Sequence, residues 1–520
     1  MAAEQGIHRT SAWLLALITL LALAVRVWAL GSRALLPDEG SSLYFSQLSP
    51  SLLLWAHCDP HPPGYYLLLR GVAALGQSES WLRLPSALAG ALAAPLTWAV
   101  GRTALRAAAE PGQRWPDQAA LLAAALVACA PLAIWYSQEA RPYALLATLA
   151  LAMVWAGLRW RLRPGVPAAL LFLVAGWWTL GIEYGGLLAL LGLNLFLLSG
   201  WPWEDDAPQL GRRWLALQAI LLAPFAAWWL LSAQRVALSQ MSYQAIFLAV
   251  RAQALGLEWT PQQAARAGVV MGLALAGLGL ALALATRRSA AVRRWLAGPW
   301  VAAGLWGLVL ALALLGALPR LYTVKRHLNI LLPYVSIAAA WALLHQRNAS
   351  QRLSRPRRAI AFGAPGLLLV LSLAMGLAAP RPAWQPLIAT LAGQMQPGDA
   401  LWVDELDAAA FAYYWDAGSD GLAEQTGWRP LFAADLAVLN QTPATQRVWL
   451  AASATPYRDL RQTLPPAFAS HRVATQSLSW DTLTLTAYDA SAAPQPIVEP
   501  RLTLRWGLDI QSPLAVDCRR

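Results

Sequence analysis

Two adjacent carboxylates, Asp38 and Glu39, stand in the stretch LLPDEGSSLYFSQ (35–47), shortly after an apolar segment that begins at Ser11. A carboxylate can act as a general base that removes a proton from a hydroxyl group, and a second carboxylate beside it can support the first or bind a cation. The same pair is also typical of a helix start, where Asp38 would cap the residues that follow. The pair therefore allows acid–base chemistry and a purely structural role.

A second group of polar residues lies in HCDPHPPGYY (57–66), where Asp59 and His61 are candidates for positioning a substrate. Histidine, cysteine and aspartate are metal ligands, but their spacing here matches no standard zinc pattern. The two prolines that follow stiffen the backbone. We predict no metal ligands here, and the need for a cofactor such as a divalent cation stays open.

A third stretch, YSQEARPYALL (136–146), places Glu139, Arg141 and Tyr143 at the start of an apolar segment. A guanidinium group and the free backbone N–H groups of a helix N-terminus can converge on an anion, so Arg141 is a candidate phosphate ligand. Glu139 and Tyr143 would then position the substrate. The alternative is an arginine that extends to the membrane surface without binding a ligand.

A fourth stretch, PRLYTVKRHLNILLP (319–333), contains Lys325 followed directly by Arg326. Lys325 is the one lysine in a chain whose other basic residues, histidines aside, are all arginines. Both side chains are candidates for binding an anion together with Arg141. A carboxylate base and several cations near the ends of apolar segments would suit a reaction that releases an anionic, lipid-borne leaving group.

The composition indicates a polytopic α-helical membrane protein. Of 520 residues, 58% are hydrophobic and 13% are charged, and the mean hydropathy is +0.44. The net charge of +12 comes from arginines in short clusters between apolar segments, which is typical of membrane topology and argues against nucleic acid as a partner. The lipid bilayer is the expected partner.

Apolar segments of about 17–20 residues can cross the hydrocarbon core as helices. We predict about 11 such transmembrane helices, near 12–30, 84–101, 118–136, 143–160, 166–182, 185–200, 214–232, 265–285, 298–317, 328–345 and 360–378. Arginines are concentrated after the even-numbered segments, and positive charge in short loops stays cytoplasmic. The N-terminus is therefore predicted inside, and the four polar stretches outside.

Two shorter apolar stretches of the first outer loop, 51–55 and 65–75, are predicted to be interfacial helices. Residues 1–379 would form the transmembrane domain. Residues 380–520 contain no further spanning segment, and apolar stretches at 399–404, 447–452 and 481–489 alternate with helical ones. This pattern predicts a small extracytoplasmic α/β domain.

The motifs PDEGSSLYFSQ, DPHPPGYYLLLR, YSQEARPYALLATLALA and KRHLNILLPYVSIAAAWAL, in this order, resemble the bacterial membrane glycosyltransferases of the GT-C class. The resemblance covers about residues 11–345 and is closest to glycosyltransferase family 39, which includes protein O-mannosyltransferases and aminoarabinose transferases. It implies a multi-pass enzyme of the bacterial cytoplasmic membrane with a polyprenyl-phosphate-linked sugar as donor. The acceptor would be a hydroxyl group of a protein, lipid or glycan.

The resemblance also implies roles for individual residues. Asp38 would be the catalytic carboxylate with Glu39 in support, and Arg141 would contact the lipid phosphate. Lys325 and Arg326 fall where basic residues occur in a later loop of the family, although His327 stands where an aromatic residue is commoner. The alternative from another class is a transporter or flippase for a lipid-linked sugar, with phosphate-binding arginines and no transfer chemistry; a third is a catalytically silent scaffold.

Overall fold

The computed structural model describes residues 2–55, 61–108, 113–198, 209–228, 230, 322–348, 382–396, 398–418, 428–431, 439–440, 442–443, 446–453, 468, 471–480 and 483–490. The chain divides into two compact units. The first unit comprises Met1–Leu30, Asp59–Tyr65 and Arg83–Ala378, and the second comprises Gly31–Cys58, Tyr66–Leu82 and Ala379–Arg520. Gly31–Cys58 and Tyr66–Leu82, from the loop that is predicted to lie outside, therefore belong to the same compact unit as the C-terminal residues.

The described helices follow the apolar segments of the sequence. They are α1 (Ala2–Val27), α2 (Pro37–Gln47), α3 (Pro50–Trp55), α4 (Gly64–Ala73), α5 (Glu79–Ala108), α6 (Trp115–Cys129), α7 (Pro131–Ser137), α8 (Tyr143–Leu162), α9 (Val166–Ile182), α10 (Gly186–Leu198), α11 (Tyr322–Asn348), α12 (Trp384–Gln394) and α13 (Glu405–Gly418). Residues 209–228 are also helical. Helices α3 and α4 form where short interfacial helices are predicted, and their place at a membrane surface stays a prediction.

Two helices in the described part of the chain are long and apolar enough to cross a membrane, at Glu79–Ala107 and Tyr143–Leu162. They contain the segments predicted near 84–101 and 143–160. Shorter apolar helices cover Ser11–Val27, Val166–Ile182 and Asn329–Trp341. The segments predicted at 265–285, 298–317 and 360–378 lie outside the described residues, so the count of about 11 stays a prediction.

The segment near 118–136, predicted as one straight helix, is instead a bent pair. Helices α6 and α7 meet at Ala130 with an angle of 57° between them. Pro131 is the first residue of α7. Proline has no backbone N–H, and it disfavours a helical conformation of the residue before it; Ala130 adopts an extended conformation here, so the helix breaks at this point. The bend leaves carbonyl groups at the end of α6 without partners inside the helix.

The core of the first unit is built around α8. Ala150, Leu151, Met153 and Ala156 of this helix are all fully buried. A helix that is apolar on every side must be covered by other helices or by lipid, and α9, α10 and the 209–228 stretch pack against α8. Trp214 from the last of these packs 5.6 Å from Trp160 of α8, measured between ring centroids.

The second unit contains a five-stranded mixed sheet in the order β2-β1-β3-β5-β4. The strands are β1 (Ala400–Asp404), β2 (Trp428–Leu431), β3 (Val448–Ser453), β4 (Arg472–Trp480) and β5 (Leu483–Ala490). Strand β1 lies parallel to β2 and β3, whereas β5 is antiparallel to β3 and β4. Strands β1, β3 and β5 fall on the three stretches predicted to be strands, whose apolar side chains fill both faces of the central sheet. That residues 380–520 form a separate extracytoplasmic domain stays a prediction.

Candidate functional site

The two adjacent carboxylates have different environments at the start of α2. Pro37 is the first helical residue, so Asp38 is the second and not the cap. Glu39 is 1% exposed, and its Oε2 accepts the backbone N–H of Leu36 at 2.8 Å. Asp38 is exposed. The alternative in which Asp38 caps this helix does not hold, because Leu36 is the N-cap residue and its N–H group is bound by Glu39.

Arg26, a charged residue inside the apolar helix α1, stabilises the break between α6 and α7. It is fully buried. Its guanidinium donates to the carbonyl of Ala128 at 2.9 Å, to that of Val127 at 3.1 Å and to Ser137 Oγ at 3.1 Å. These carbonyls lie at the C-terminal end of α6, where a cation is favourable. In the sequence, Arg26 is a single charge in an apolar segment. The structure shows that it binds the carbonyl groups at the end of α6.

Gln138 makes the reciprocal contact from the end of α7. Its side-chain amide donates to the carbonyls of Val25, Arg26 and Trp28 at 3.3, 3.3 and 3.0 Å, and so satisfies the C-terminal end of α1. Gly90 of α5 permits the close approach here, because a Cβ atom at this position would lie 1.9 Å from Ser137 Oγ. The ends of α1 and α7 are thus tied together immediately before the loop that carries Glu139 and Arg141.

Arg141 is held just before the N-terminus of α8 and is only 4% exposed. Its Nη2 donates to the hydroxyl of Tyr143 at 3.2 Å, and the guanidinium lies 5.6 Å from the centroid of the same ring. The Arg141 carbonyl accepts the hydroxyl of Ser86 at 3.1 Å. The first turn of α8 offers backbone N–H groups beside this fixed cation, which is the arrangement that favours an anion. Arg141, the predicted phosphate ligand, and Tyr143, predicted to position the substrate, are in direct contact.

Lys325 and Arg326 are the fourth and fifth residues of α11. One turn later, Asn329 is 4% exposed and its Nδ2 donates to the Tyr143 carbonyl at 3.2 Å. This bond ties the N-terminal part of α11 to the start of α8, the two elements that carry the predicted phosphate ligands. Sequence reasoning missed Asn329. Its position in KRHLNILLP, close to the predicted cations, could have indicated it.

The remaining predicted residues are only partly described. His61 Nε2 lies 3.5 Å from Glu183 Oε2, and Glu183 follows the end of α9. Glu139 is 4% exposed in the loop before α8. Asp59 lies outside the described residues. Asp38 and Glu39 belong to the second unit, while Glu139, Arg141, Tyr143 and His61 belong to the first.

The described residues contain no cluster of side chains suited to binding a metal ion. No group of three or more histidine, cysteine, aspartate or glutamate side chains there could hold an ion. The stretch around Cys58 is not covered by this statement. Whether the chain requires a divalent cation therefore stays an open question.

Replacement of Arg26 by leucine is expected to lower the free energy of unfolding by about 2 to 4 kcal/mol, since several carbonyl groups would lose a charged donor inside an apolar environment. Thr19→Val in the same helix is the matched control, because the Thr19 hydroxyl bonds only to Leu15 of α1. Unfolding in detergent, followed by a denaturant titration, measures both variants. Equal midpoints for Arg26→Leu and the native chain would contradict the role given to Arg26.

No protein-family model and no curated protein matches the sequence. Among solved structures, the chain is similar to the Archaeoglobus fulgidus oligosaccharyltransferase in complex with zinc and sulfate, at 13% identity and a TM-score of 0.47, over 92% of this chain and 73% of that one. It is also similar to ArnT from Cupriavidus metallidurans. The apo form shows 14% identity and a TM-score of 0.46, and the form bound to undecaprenyl phosphate shows 15% and 0.41; in both, 94% of this chain and 100% of the other are covered.

At identities of 13–15% and TM-scores below 0.5, the similarities assign no substrate and no site residue to this chain. The roles of individual residues therefore depend on the chemistry and contacts of the residues themselves.

Proposed function

We propose that this chain is an inverting glycosyltransferase that moves a sugar from a polyprenyl-phosphate donor to an acceptor hydroxyl. The observation that carries the proposal is Arg141, a guanidinium 4% exposed and fixed by Tyr143 at the N-terminus of an apolar helix long enough to span a membrane. Burying a cation at such a place costs free energy, so the residue is a candidate for a functional role. Binding a phosphate group carried by a membrane lipid would account for it.

In the proposed reaction, the Asp38 carboxylate removes the proton of the acceptor hydroxyl as the oxygen attacks the anomeric carbon. The bond between that carbon and the phosphate oxygen breaks, and the polyprenyl phosphate leaves with the electron pair. Arg141, Lys325 and Arg326 stabilise the negative charge of the leaving group. Attack from the side opposite the phosphate inverts the configuration of the sugar.

Glu39, Glu139, Tyr143, Asp59 and His61 are proposed to support this reaction. The buried carboxylate of Glu39 holds the start of the helix that carries Asp38. Tyr143 orients the Arg141 guanidinium through its hydroxyl and its ring. We assign Glu139, Asp59 and His61 to positioning the sugar or the acceptor.

The proposed location is the bacterial cytoplasmic membrane, with the N-terminus in the cytoplasm and the reaction at the outer face. The concentration of arginines in alternate loops supports this orientation. Residues 380–520 would then lie outside. The acceptor is proposed to be a hydroxyl group of a protein, a lipid or a glycan that is present at that face.

Isolated membranes that contain the chain provide the test. Undecaprenyl-phosphate mannose, glucose and aminoarabinose, each radiolabelled in the sugar, are supplied one at a time, and label is followed in the donor, lipid, protein and glycan fractions. We expect label to leave one donor and appear in an acceptor fraction, and this transfer to be lost in Asp38→Asn. Movement of intact donor between leaflets without transfer would instead identify a flippase, and neither movement nor transfer with any donor would refute both functions.

A further inference from the structure

The backbone N–H and carbonyl groups of Leu35, three residues before Asp38, are each bound by an aromatic side chain from the C-terminal part of the second unit. The Leu35 N–H donates to the Tyr414 hydroxyl at 2.7 Å, and the Leu35 carbonyl accepts the indole N–H of Trp384 at 3.0 Å. Leu35 itself is fully buried. The next N–H along the chain, that of Leu36, is bound by Glu39.

The Tyr414 hydroxyl uses both its acceptor and its donor capacity at this point. It accepts the Leu35 N–H and donates to Glu79 Oε1 at 3.1 Å. Burial raises the pKa of the Tyr414 phenol well above its usual range, so the group keeps the proton that it donates to Glu79. The neighbouring Tyr413 makes a separate bond, from its hydroxyl to the carbonyl of Gln77 at 2.9 Å.

The packing around these bonds leaves little room for movement of α2. A Cβ atom on Gly40 would lie 2.5 Å from the backbone nitrogen of Ala410, so the backbones of α2 and α13 are in direct contact at this glycine. Trp384 stacks on Tyr414, with ring centroids 6.5 Å apart and planes within 18°. Trp384 and Phe411 are both fully buried. Fixed aromatic rings of this kind hold their hydrogen-bonding groups at defined positions.

We infer that Tyr414 and Trp384 are positioning residues for Asp38. They act through the backbone N–H and carbonyl groups of Leu35, immediately before α2. The inference rests on the proposed function, in which Asp38 is the general base. A base must lie within hydrogen-bond reach of the proton that it removes, and a displacement of about 1 Å can cost about 100-fold in rate. The C-terminal helices α12 and α13 thereby become part of the scaffold of the reaction, a role that the sequence leaves unassigned.

Tyr414→Phe tests this inference, because it removes the hydroxyl and keeps the ring. We expect kcat of sugar transfer to fall about 10- to 100-fold with the KM of the donor unchanged. Tyr413→Phe is the matched control and is expected to keep full activity, since its hydroxyl bonds to Gln77 and not to the Leu35 peptide. Trp384→Phe removes the indole N–H donor together with part of a fully buried ring system. It is expected to lower kcat at least as much as Tyr414→Phe, and it provides a second test if Tyr414→Phe fails to fold.

Hydrogen exchange of the purified chain separates positioning from a general loss of stability. In Tyr414→Phe, we expect faster exchange in peptides that cover residues 33–47 and unchanged exchange in peptides from α8. Unchanged exchange at 33–47 together with unchanged kcat would overturn the inference, and so would an equal acceleration throughout the chain. If the native chain transfers no sugar from any donor, the proposed function fails, while the exchange experiment still decides whether Tyr414 holds the start of α2.

Discussion

Asp38→Asn is expected to lower the rate of sugar transfer by about 100-fold or more, because an amide cannot accept the proton of the acceptor hydroxyl. Asparagine has nearly the same shape as aspartate, and Asp38 is exposed on α2, so the substitution should leave the fold and the membrane insertion intact. Initial rates with a labelled donor in isolated membranes, corrected for the amount of chain present, measure the effect.

Glu39→Gln is the matched control for this substitution. The side-chain amide of glutamine can still accept the Leu36 N–H that Glu39 binds, so we expect the start of α2 to be retained and the activity to stay within a few-fold of the native value. Glu39→Ala, which removes the acceptor, is expected to cost about 1 kcal/mol of stability. Near-normal turnover of Asp38→Asn, or equal losses in Asp38→Asn and Glu39→Gln, would refute the assignment of Asp38 as the base.

Arg141→Gln is the second change with a large expected effect, a loss of about 100- to 1,000-fold in kcat/KM for the donor. The loss follows because a fixed cation that stabilises the leaving phosphate is worth most in a buried site from which water is excluded. Arg141→Lys keeps the charge but not the planar set of donors, so we expect an intermediate value. Steady-state kinetics with donor and acceptor varied separately measure all of these variants.

Tyr143→Phe is the matched control for Arg141. It removes the hydroxyl that Arg141 contacts and keeps the ring that lies 5.6 Å from the guanidinium, so we expect a much smaller loss. Because Arg141 is buried, its replacement could also destabilise the fold. Thermal unfolding of each variant distinguishes a loss of catalysis from a loss of stability. An Arg141→Gln variant with native donor kinetics and an altered KM for the acceptor alone would contradict the assignment of Arg141 to the phosphate.

Local patterns in the sequence were sufficient to predict much of the helical architecture in the described residues. Helices α8 and α9 coincide with the apolar segments predicted near 143–160 and 166–182. Length and apolar composition are local properties, and a bilayer demands them of each spanning helix separately. The break at Ala130 was missed, although Pro131 was its visible cause, because the apolar composition continues across it.

The roles of single residues were less accessible to sequence reasoning. The candidate anion ligand Arg141 could be placed before an apolar helix from its position in the chain. The bond from Ser86 to the Arg141 carbonyl and the bond from Asn329 to the Tyr143 carbonyl could not be predicted, since Ser86 and Asn329 come from distant parts of the sequence. Arg26 presented itself only as one charge in an apolar segment, and its partner Ser137 lies 111 residues further along the chain.

The sequence by itself determined the apolar composition, the positions of the apolar helices in the described residues and the short stretches in which chemistry is possible, because composition and periodicity act over a few residues. Only the tertiary structure decided which of the two adjacent carboxylates caps α2 and which is exposed. It also decided that the Leu35 peptide before them is bound by Tyr414, 379 residues away. Such contacts depend on how distant elements pack against each other, and no local pattern contains that information.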